Sequence, residues 1–327
     1  MQRHDVAVIG ASAGGLEALK KVLECLPERL PIAFFVALHM PAGERSHLPQ
    51  ILQQHSPHPA EFATDGATVE PGRILVAPPD QHLIVKEGFV RLSHGPRENF
   101  WRPSVDVLFR SAAVAYGPRV IGVVLSGALD DGTAGLSAIV RCGGVIIAQD
   151  PDEAGYPEMP ESAVRNVPGT RVLPACEIAT ALQTLASQPV AVAPPEPPAE
   201  LRLEVRIAEG NAEAARESEH VGESTSHTCP ECNGPLREAP DDVLRFRCHV
   251  GHAYTASSLI NGTREKIEAS LWTAVRLLQQ RSNLSRTSAA RERERGRLKS
   301  ADSYEKRAGE SESQAAVLHE LLLNLSL

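Results

Sequence analysis

Residues 6–19 read VAVIGASAGGLEAL. A short apolar, β-branched run gives way at once to a turn of small residues, and that turn gives way to a helical pattern. The run reads as a buried strand rather than the core of an export signal, because it is short and ends in a Gly-rich turn. The same grammar recurs along the first half of the chain. Val6–Ile9, Ile32–Leu38, Ile74–Ala77, Val120–Leu125 and Val145–Ala148 read as strands, and Leu16–Cys25, Val105–Ala115 and Ala134–Arg141 as helices. Alternation of this kind predicts an α/β fold with a mostly parallel sheet. Leu83–Lys86 and Phe89–Leu92 flank Glu87–Gly88 and predict a small inserted hairpin.

The turn Gly10-Ala11-Ser12-Ala13-Gly14-Gly15 suits a nucleophile. It holds a serine off the sheet edge, small neighbours admit a substrate, and the following helix offers free N–H groups to an oxyanion. Two other readings compete. A Gly-rich strand–helix turn can cradle a dinucleotide, but Ser12 stands where that pattern needs its second glycine. Ser12 could also simply cap the helix. A serine needs a base, and the base an orienting acid. His39 lies just past a strand, in Leu38-His39-Met40-Pro41, and Asp131 just past another, in Leu129-Asp130-Asp131-Gly132. Alone, His39 would be an ordinary surface or core histidine and Asp131 a helix N-cap. Together with Ser12, each ends a predicted parallel strand, so the three can converge at one sheet edge as a catalytic triad.

These residues carry a family resemblance. VIGASAGGLEAL, then ALHMPAG, then RPSVDVLF, then GVVLSGALDDGTAGL fall in order within residues 6–136. The chain thus resembles the catalytic domain of the chemotaxis protein-glutamate methylesterases (CheB type), more loosely as far as Leu185. The resemblance implies a Rossmann-like, mostly parallel sheet with helices on both faces, and hydrolysis of glutamyl methyl esters on chemoreceptor cytoplasmic helices, with deamidation of glutamines in some members and no cofactor for catalysis. It puts the nucleophile on Ser12, the base on His39 and the acid on Asp131. The oxyanion and substrate pocket falls on Ala13, Gly14 and Ala128. Members commonly carry Thr where this chain has Ala13, and Met where it has Ala128. Members also often carry an N-terminal receiver domain, whereas here the first strand begins within a few residues of Met1, and none is expected. A second reading keeps the domain as a degenerate esterase that docks on receptors and recruits partners.

Residues 187–200, SQPVAVAPPEPPAE, hold five prolines, and 201–227 are polar and acidic. The expected domains are therefore a catalytic domain over 1–186, a linker over 187–227, a Cys/His module over 228–255 and an amphipathic helical tail over 256–327. In the module, Cys229-Pro-Glu-Cys232 is followed after fifteen residues by Cys248-His249-Val250-Gly251-His252. That spacing fits a closed, structural four-ligand zinc site on Cys229, Cys232, Cys248 and His252, with His249 as the other candidate for the fourth ligand. The competing reading is three incidental thiols in a loop. Residues 235–246 would form the hairpin between the two ligand pairs, and the segment resembles the zinc-ribbon extension of some CheB-type proteins. In the tail, Ile267, Leu271, Ala274 and Leu278 mark a helical stripe, and a second helix carries Val317, Leu318 and Leu321. A helical hairpin or coiled coil is expected, with self-association through it as one use.

Net charge at pH 7 is −8. Arg237, Arg245, Arg247 and His249 are balanced by Glu231, Glu238, Asp241 and Asp242, which makes no obvious phosphate-binding face, so nucleic acid is not an expected partner and a nucleic-acid-associated zinc protein is the last of the readings. No apolar run approaches the ~18 residues that cross a membrane. Six cysteines without an export signal point to a reducing cytoplasm, and chemoreceptors or related chemosensory proteins are the expected partners.

Overall fold

The computed structural model describes residues 2–43, 46–190, 195–218, 221–240 and 242–324. The chain divides into two units, Met1–Leu259 and Ile260–Leu327.

The first unit is built on strands β1 (Val6–Ala11), β2 (Ala33–Leu38), β3 (Ala60–Phe62), β4 (Ile74–Val76), the antiparallel hairpin β5 (His82–Lys86) and β6 (Phe89–Ser93), then β7 (Val120–Val124), β8 (Val145–Gln149) and β9 (Arg171–Leu173). Apart from the hairpin they form one seven-stranded sheet in the order β3-β4-β2-β1-β7-β8-β9. Every neighbouring pair in it is parallel. The five strands expected from the sequence are its five interior strands. The two unexpected ones, β3 and β9, are three-residue edge strands, too short to show a period.

Helices α1 (Gly15–Glu24), α2 (Leu48–Gln54), α3 (Val105–Tyr116), α4 (Thr133–Arg141), α5 (Glu158–Asn166) and α6 (Ala175–Ser187) cover the sheet. Alternate residues of β1 show the layering. Ala7 and Ile9 pack with Leu19 and Leu23 of α1 and Leu182 of α6. Val6 and Val8 share the opposite core with Leu108 and Phe109 of α3 and Ile139 of α4. Burial on both faces is why these strands read as unbroken apolar runs.

Residues 187–227 depart from the expected linker. Residues 191–194 and 219–220 lie outside the described set, but α7 (Ala199–Ala208), α8 (Ala212–Ser218) and β10 (Glu223–Thr228) are ordered elements. Helix α7 starts directly after Pro198, where a proline costs no hydrogen bond. Its Leu201 enters the α3-side core, Val205 and Ala208 pack with Ile84 and Val107, and Leu203 and Ile207 pack with Ala214. Each of the Leu, Val and Ile side chains of α7 contributes roughly 1.5–3 kcal/mol when buried, enough to fix the segment on the domain.

Strand β10 is the first of a four-stranded antiparallel sheet completed by β11 (Pro235–Glu238), β12 (Arg245–Cys248) and β13 (Ala253–Thr255). The expected hairpin is β11–β12; Asp241 between them lies outside the described residues. The remaining helices are α9 (Ala256–Glu294) and α10 (Leu298–Asn324). Within the second unit, Arg286 pairs with Glu312 and Arg293 with Glu305, so the helices run antiparallel about a turn with Gly296 at φ 74°. Their seam follows Leu271, Val275, Leu278, Ser282, Ser285 and Ala289 against Ala301, Ala308, Ser311, Ala315, Leu318 and Leu322. This heptad spacing, with small residues in the middle, is that of a close coiled-coil pairing. Of the expected stripe, Leu271 and Leu278 lie on the seam, whereas Ile267 is 48% exposed and Val275 takes the buried place beside Ala274.

Candidate active site and Cys/His cluster

Strand order fixes where the site lies. The chain winds outward from β1 through β2 to β4 and β3, then returns to lay β7 on the other side of β1. The crevice at the carboxyl ends of β1 and β7 is thus the topological switch point of the sheet, the usual ligand site of open α/β folds. Ser12 follows β1, His39 follows the adjacent β2, and Asp131 lies on the loop after β7.

Ser12 is pinned by its backbone. Its N–H donates to the Ser126 carbonyl at 3.0 Å, and its own carbonyl accepts from Gly15 N–H at 2.9 Å. Gly14 caps α1 at φ 68°, a left-handed conformation that favours glycine. The His39 N–H donates to the Ala11 carbonyl at 3.2 Å, tying the ends of β1 and β2 together. The His39 ring then spans the gap, with Nδ1 3.0 Å from Ser12 Oγ and Nε2 2.8 Å from Asp131 Oδ2. Both His39 and Asp131 side chains are 2% exposed.

Asp131 sits among donors. Its carboxylate accepts from Asn99 Nδ2 (3.0 Å), Ser104 Oγ (3.0 Å), Val105 N–H (2.7 Å) and Asp106 N–H (3.2 Å). The last three belong to the first turn of α3, so Asp131 caps a helix other than the one it precedes. Burial alone would raise its carboxyl. The hydrogen bond and charge of His39, the Val105 N–H and the Asn99 amide outweigh that and hold it at about 2. An ionised Asp131 can only accept, so His39 Nε2 carries the proton and Nδ1 presents its lone pair to the Ser12 hydroxyl.

The residues expected to form the oxyanion pocket flank Ser12. Among the described residues, the N–H groups of Ala13, Gly14 and Ala128 have no protein acceptor. Ser126 Oγ donates to the Ala13 carbonyl at 2.8 Å and fixes that turn, while Gly127 N–H is taken by Tyr156 and Leu129 N–H by Glu158. Gly127 must be glycine for a different reason: a Cβ there would lie 2.0 Å from Met159 Sδ and 2.8 Å from Ser12 Cβ.

Four contributors escaped the sequence reading. Trp101 stacks on His39, with centroids 4.2 Å apart and planes 11° off parallel. Asn99 and Ser104 hold Asp131, and Asp106 accepts N–H bonds from Gly132 and Gly135. Only RPSVDVLF, quoted for its resemblance, hinted that this segment does more than form a helix.

The second cluster lies in the antiparallel sheet. Cys229, Cys232, Cys248 and His252 bring one ligand atom each within 4.8 Å of one another. Cys232 Sγ lies 3.6 Å from Cys248 Sγ, and His252 Nδ1 lies 3.6 Å from Cys248 Sγ and 3.7 Å from Cys229 Sγ. These separations suit the edges of a tetrahedron with Zn–S bonds of roughly 2.3 Å, and three thiols with one imidazole are a donor set that zinc favours. Tyr254 O–H lies 3.2 Å from Cys229 Sγ and donates to Glu231 at 2.7 Å, giving the sulfur a polar neighbour. His249, the other candidate for the fourth ligand, is exposed and packs over Gly234 outside the cluster.

A family model described as CheB methylesterase matches residues 7–182. The chain belongs to the CheB methylesterase family. It is 42% identical over 183 residues to protein-glutamate methylesterase/protein-glutamine glutaminase 2 of Anaeromyxobacter dehalogenans, covering 56% of this chain and 54% of that protein. Identity is 40% over 179 residues to the similarly named protein of Methanosarcina mazei, covering 52% and 49%. The crystal structure of the Thermotoga maritima CheB methylesterase catalytic domain superposes with a TM-score of 0.54 at 33% identity, over 57% of this chain and 99% of that one. This chain spans about half the length of the curated relatives it matches. The CheB family match ends before α7, the Cys/His sheet and the helical hairpin.

Proposed function

We propose that this chain is a serine esterase that hydrolyses glutamyl methyl esters on chemoreceptor cytoplasmic helices, and deamidates glutamines at the same site. The observation that carries the reading is the relay in which His39 bridges Ser12 and an Asp131 held ionised by buried donors. In the proposed reaction Ser12 Oγ attacks the ester carbonyl and its proton passes to His39 Nδ1. The oxyanion is held by N–H groups of Ala13, Gly14 and Ala128. Collapse expels methanol, which takes the proton back from His39. Water then adds to the acyl-serine with His39 again as base, and the second collapse frees the glutamate side chain and restores Ser12. For a glutamine the leaving group is ammonia. Asp131 orients His39 and balances its charge while the proton is on the ring.

Cys229, Cys232, Cys248 and His252 would hold a zinc ion. Four protein ligands leave no open position, so the ion would supply folding energy and no bond-making chemistry. No helix is long and apolar enough to cross a membrane among the described residues. We place the protein in the cytoplasm, with methyl-accepting chemoreceptors or related chemosensory proteins as partners.

The test is release of methanol from a methylated receptor fragment and from a small glutamyl methyl ester by the full chain, with Ser12→Ala as control. Stoichiometric methanol, absent in the control, is expected. Binding of the receptor fragment without methanol would replace the reading with that of a docking protein.

A further inference from the structure

Between the two clusters lies a buried strap. Strand β13 of the Cys/His sheet packs on the loop that holds Asp131. The Asn99 N–H donates to the Ala253 carbonyl at 2.8 Å, and the Thr255 N–H donates to Asn99 Oδ1 at 2.9 Å. A backbone N–H can only donate, so the amide oxygen must face Thr255 and the NH2 must face the other way. There Nδ2 donates to Asp131 Oδ1 and to Asp106 Oδ2, both at 3.0 Å. Asn99 is 3% exposed and sits at φ 52°, a conformation asparagine tolerates better than most residues. Thr255 also reaches the neighbour of Asp131: its hydroxyl donates to Asp130 Oδ1 at 2.6 Å, and Ser258 Oγ lies 3.2 Å from the same oxygen. One step before Asn99, the buried Glu98 accepts from Arg247 of β12 at 3.2 Å and from Arg110 of α3 at 2.6 Å. Asp131 is thus addressed twice from a single strand, through its side chain by Asn99 and through its chain neighbour Asp130.

We propose that strand β13 of the Cys/His module positions Asp131 by two routes, through Asn99 as a positioning residue on its carboxylate and through the Thr255 hydroxyl on its chain neighbour Asp130. The inference rests on the esterase reading above for its kinetic consequence and on geometry alone for its structural one. The module then completes the site rather than hanging from it: without β13, Asn99 loses both partners that fix its backbone and its amide, and Asp131 loses the donor on Oδ1 opposite α3.

The experiment uses the full chain. Asn99→Ala should lower kcat on a small glutamyl methyl ester by about 100-fold, the scale of a misplaced catalytic group, with KM little changed. In an Asp131→Asn background the same substitution should change kcat within about twofold, because its effect runs through Asp131. Thr255→Ala, which keeps the backbone bond to Asn99 and loses only the hydroxyl, should lower kcat severalfold, and Thr255→Ser should restore it; this pair decides the matter if Asn99→Ala fails to fold. Independently of turnover, the downfield proton resonance of His39 Nε2–H bonded to Asp131 should be seen in the unaltered chain and lost in Asn99→Ala. A full multiplicative loss in the Asp131→Asn background, a Thr255→Ala enzyme with unaltered kcat, or a resonance that is absent from the unaltered chain or survives in Asn99→Ala would overturn the proposal. A chain that hydrolyses no ester but shows the resonance lost with Asn99 would sink the esterase reading and leave the strap standing.

Discussion

Asp131 and Asp106 cap each other's helices. Asp131 accepts the first N–H groups of α3, the helix that carries Asp106, and Asp106 Oδ1 accepts Gly132 N–H at 3.0 Å and Gly135 N–H at 2.6 Å, at the start of α4, which follows Asp131. Two buried carboxyls thereby lock the loop after β7 to the start of α3. Burial first, then the Asp131 charge, pushes Asp106 well above the usual carboxylate range. Asp106→Ala should cost roughly 2–4 kcal/mol by leaving buried N–H donors unpaired. Asp106→Asn, whose amide oxygen can still accept, should cost less. Denaturant unfolding of the two variants checks the order, and equal losses would speak against the capping account.

Replacing Ser12 by Ala removes one hydroxyl from a pinned turn, so the fold should stay and ester hydrolysis should fall by about 10⁴-fold or more. His39→Ala should fall similarly, and the double variant should be no worse than the worse single one. Steady-state rates on a small methyl ester decide it; independent, multiplying losses would mean that the two side chains do not act as one unit.

Stability should fall in acid through Asp131. Its folded pKa of about 2 lies below the ordinary value of 3.8, so its contribution is present above that value and is lost as pH falls from about 4 towards 2. The size is on the order of 2 kcal/mol. Asp106 acts in the opposite sense, because a raised carboxyl favours the folded state as pH falls. Asp131→Asn should therefore flatten the loss of thermal stability between about pH 4 and pH 2. A variant whose melting temperature falls with acid as steeply as the parent would place the acid-labile group elsewhere.

Trp101 lies flat on His39, and its ring limits the imidazole to the plane that serves both Ser12 and Asp131. Trp101→Ala should reduce kcat by about tenfold through loss of that orientation, and Trp101→Phe should recover most of it. An unchanged kcat in Trp101→Ala would leave the stacking as packing only.

How much of this was legible in the sequence follows from what each residue touches. The strands that carry Ser12 and His39, and the one preceding Asp131, are buried on both faces and so appear as continuous apolar runs, and each of the three residues follows its run closely. Asn99, Trp101 and Ser104 carry no such mark, because the triad residues they touch are 27 or more residues away in the chain and meet them only through the fold. Helix α7 was hidden differently. Leu201, Leu203, Val205 and Ile207 alternate, a spacing foreign to a one-faced helix, because α7 buries several sides at once in separate clusters. Five prolines just before it then argued for a linker. The four Cys/His residues that cluster, by contrast, are local pairs whose spacing survives any rearrangement of the surroundings.

That hidden helix changes what truncation should do. A chain ending near Leu185 was the natural catalytic fragment while 187–227 read as a tether. In the structure such a cut strips α7 from Ile84 and Val107 and removes Glu204, Arg245 and Arg247 from the buried charge cluster. Glu98 and Arg110 keep each other, but Arg110 loses Glu204, Glu98 loses Arg247, and Asn99 loses β13. Breaking a buried ion network from one side typically costs roughly 3–5 kcal/mol, a large share of the stability of a single domain. The fragment 1–185 should therefore melt well below the full chain and lose esterase activity, whereas 1–259 keeps every contact named here and should melt close to it. Chelation of the Cys/His site should act in the same direction as the shorter truncation, lowering the main melting transition rather than producing a separate early one, with about one zinc per chain released. A fragment 1–185 as stable and active as the full chain, or a chelated protein whose main transition does not move, would show that the module rides on the catalytic domain without supporting it.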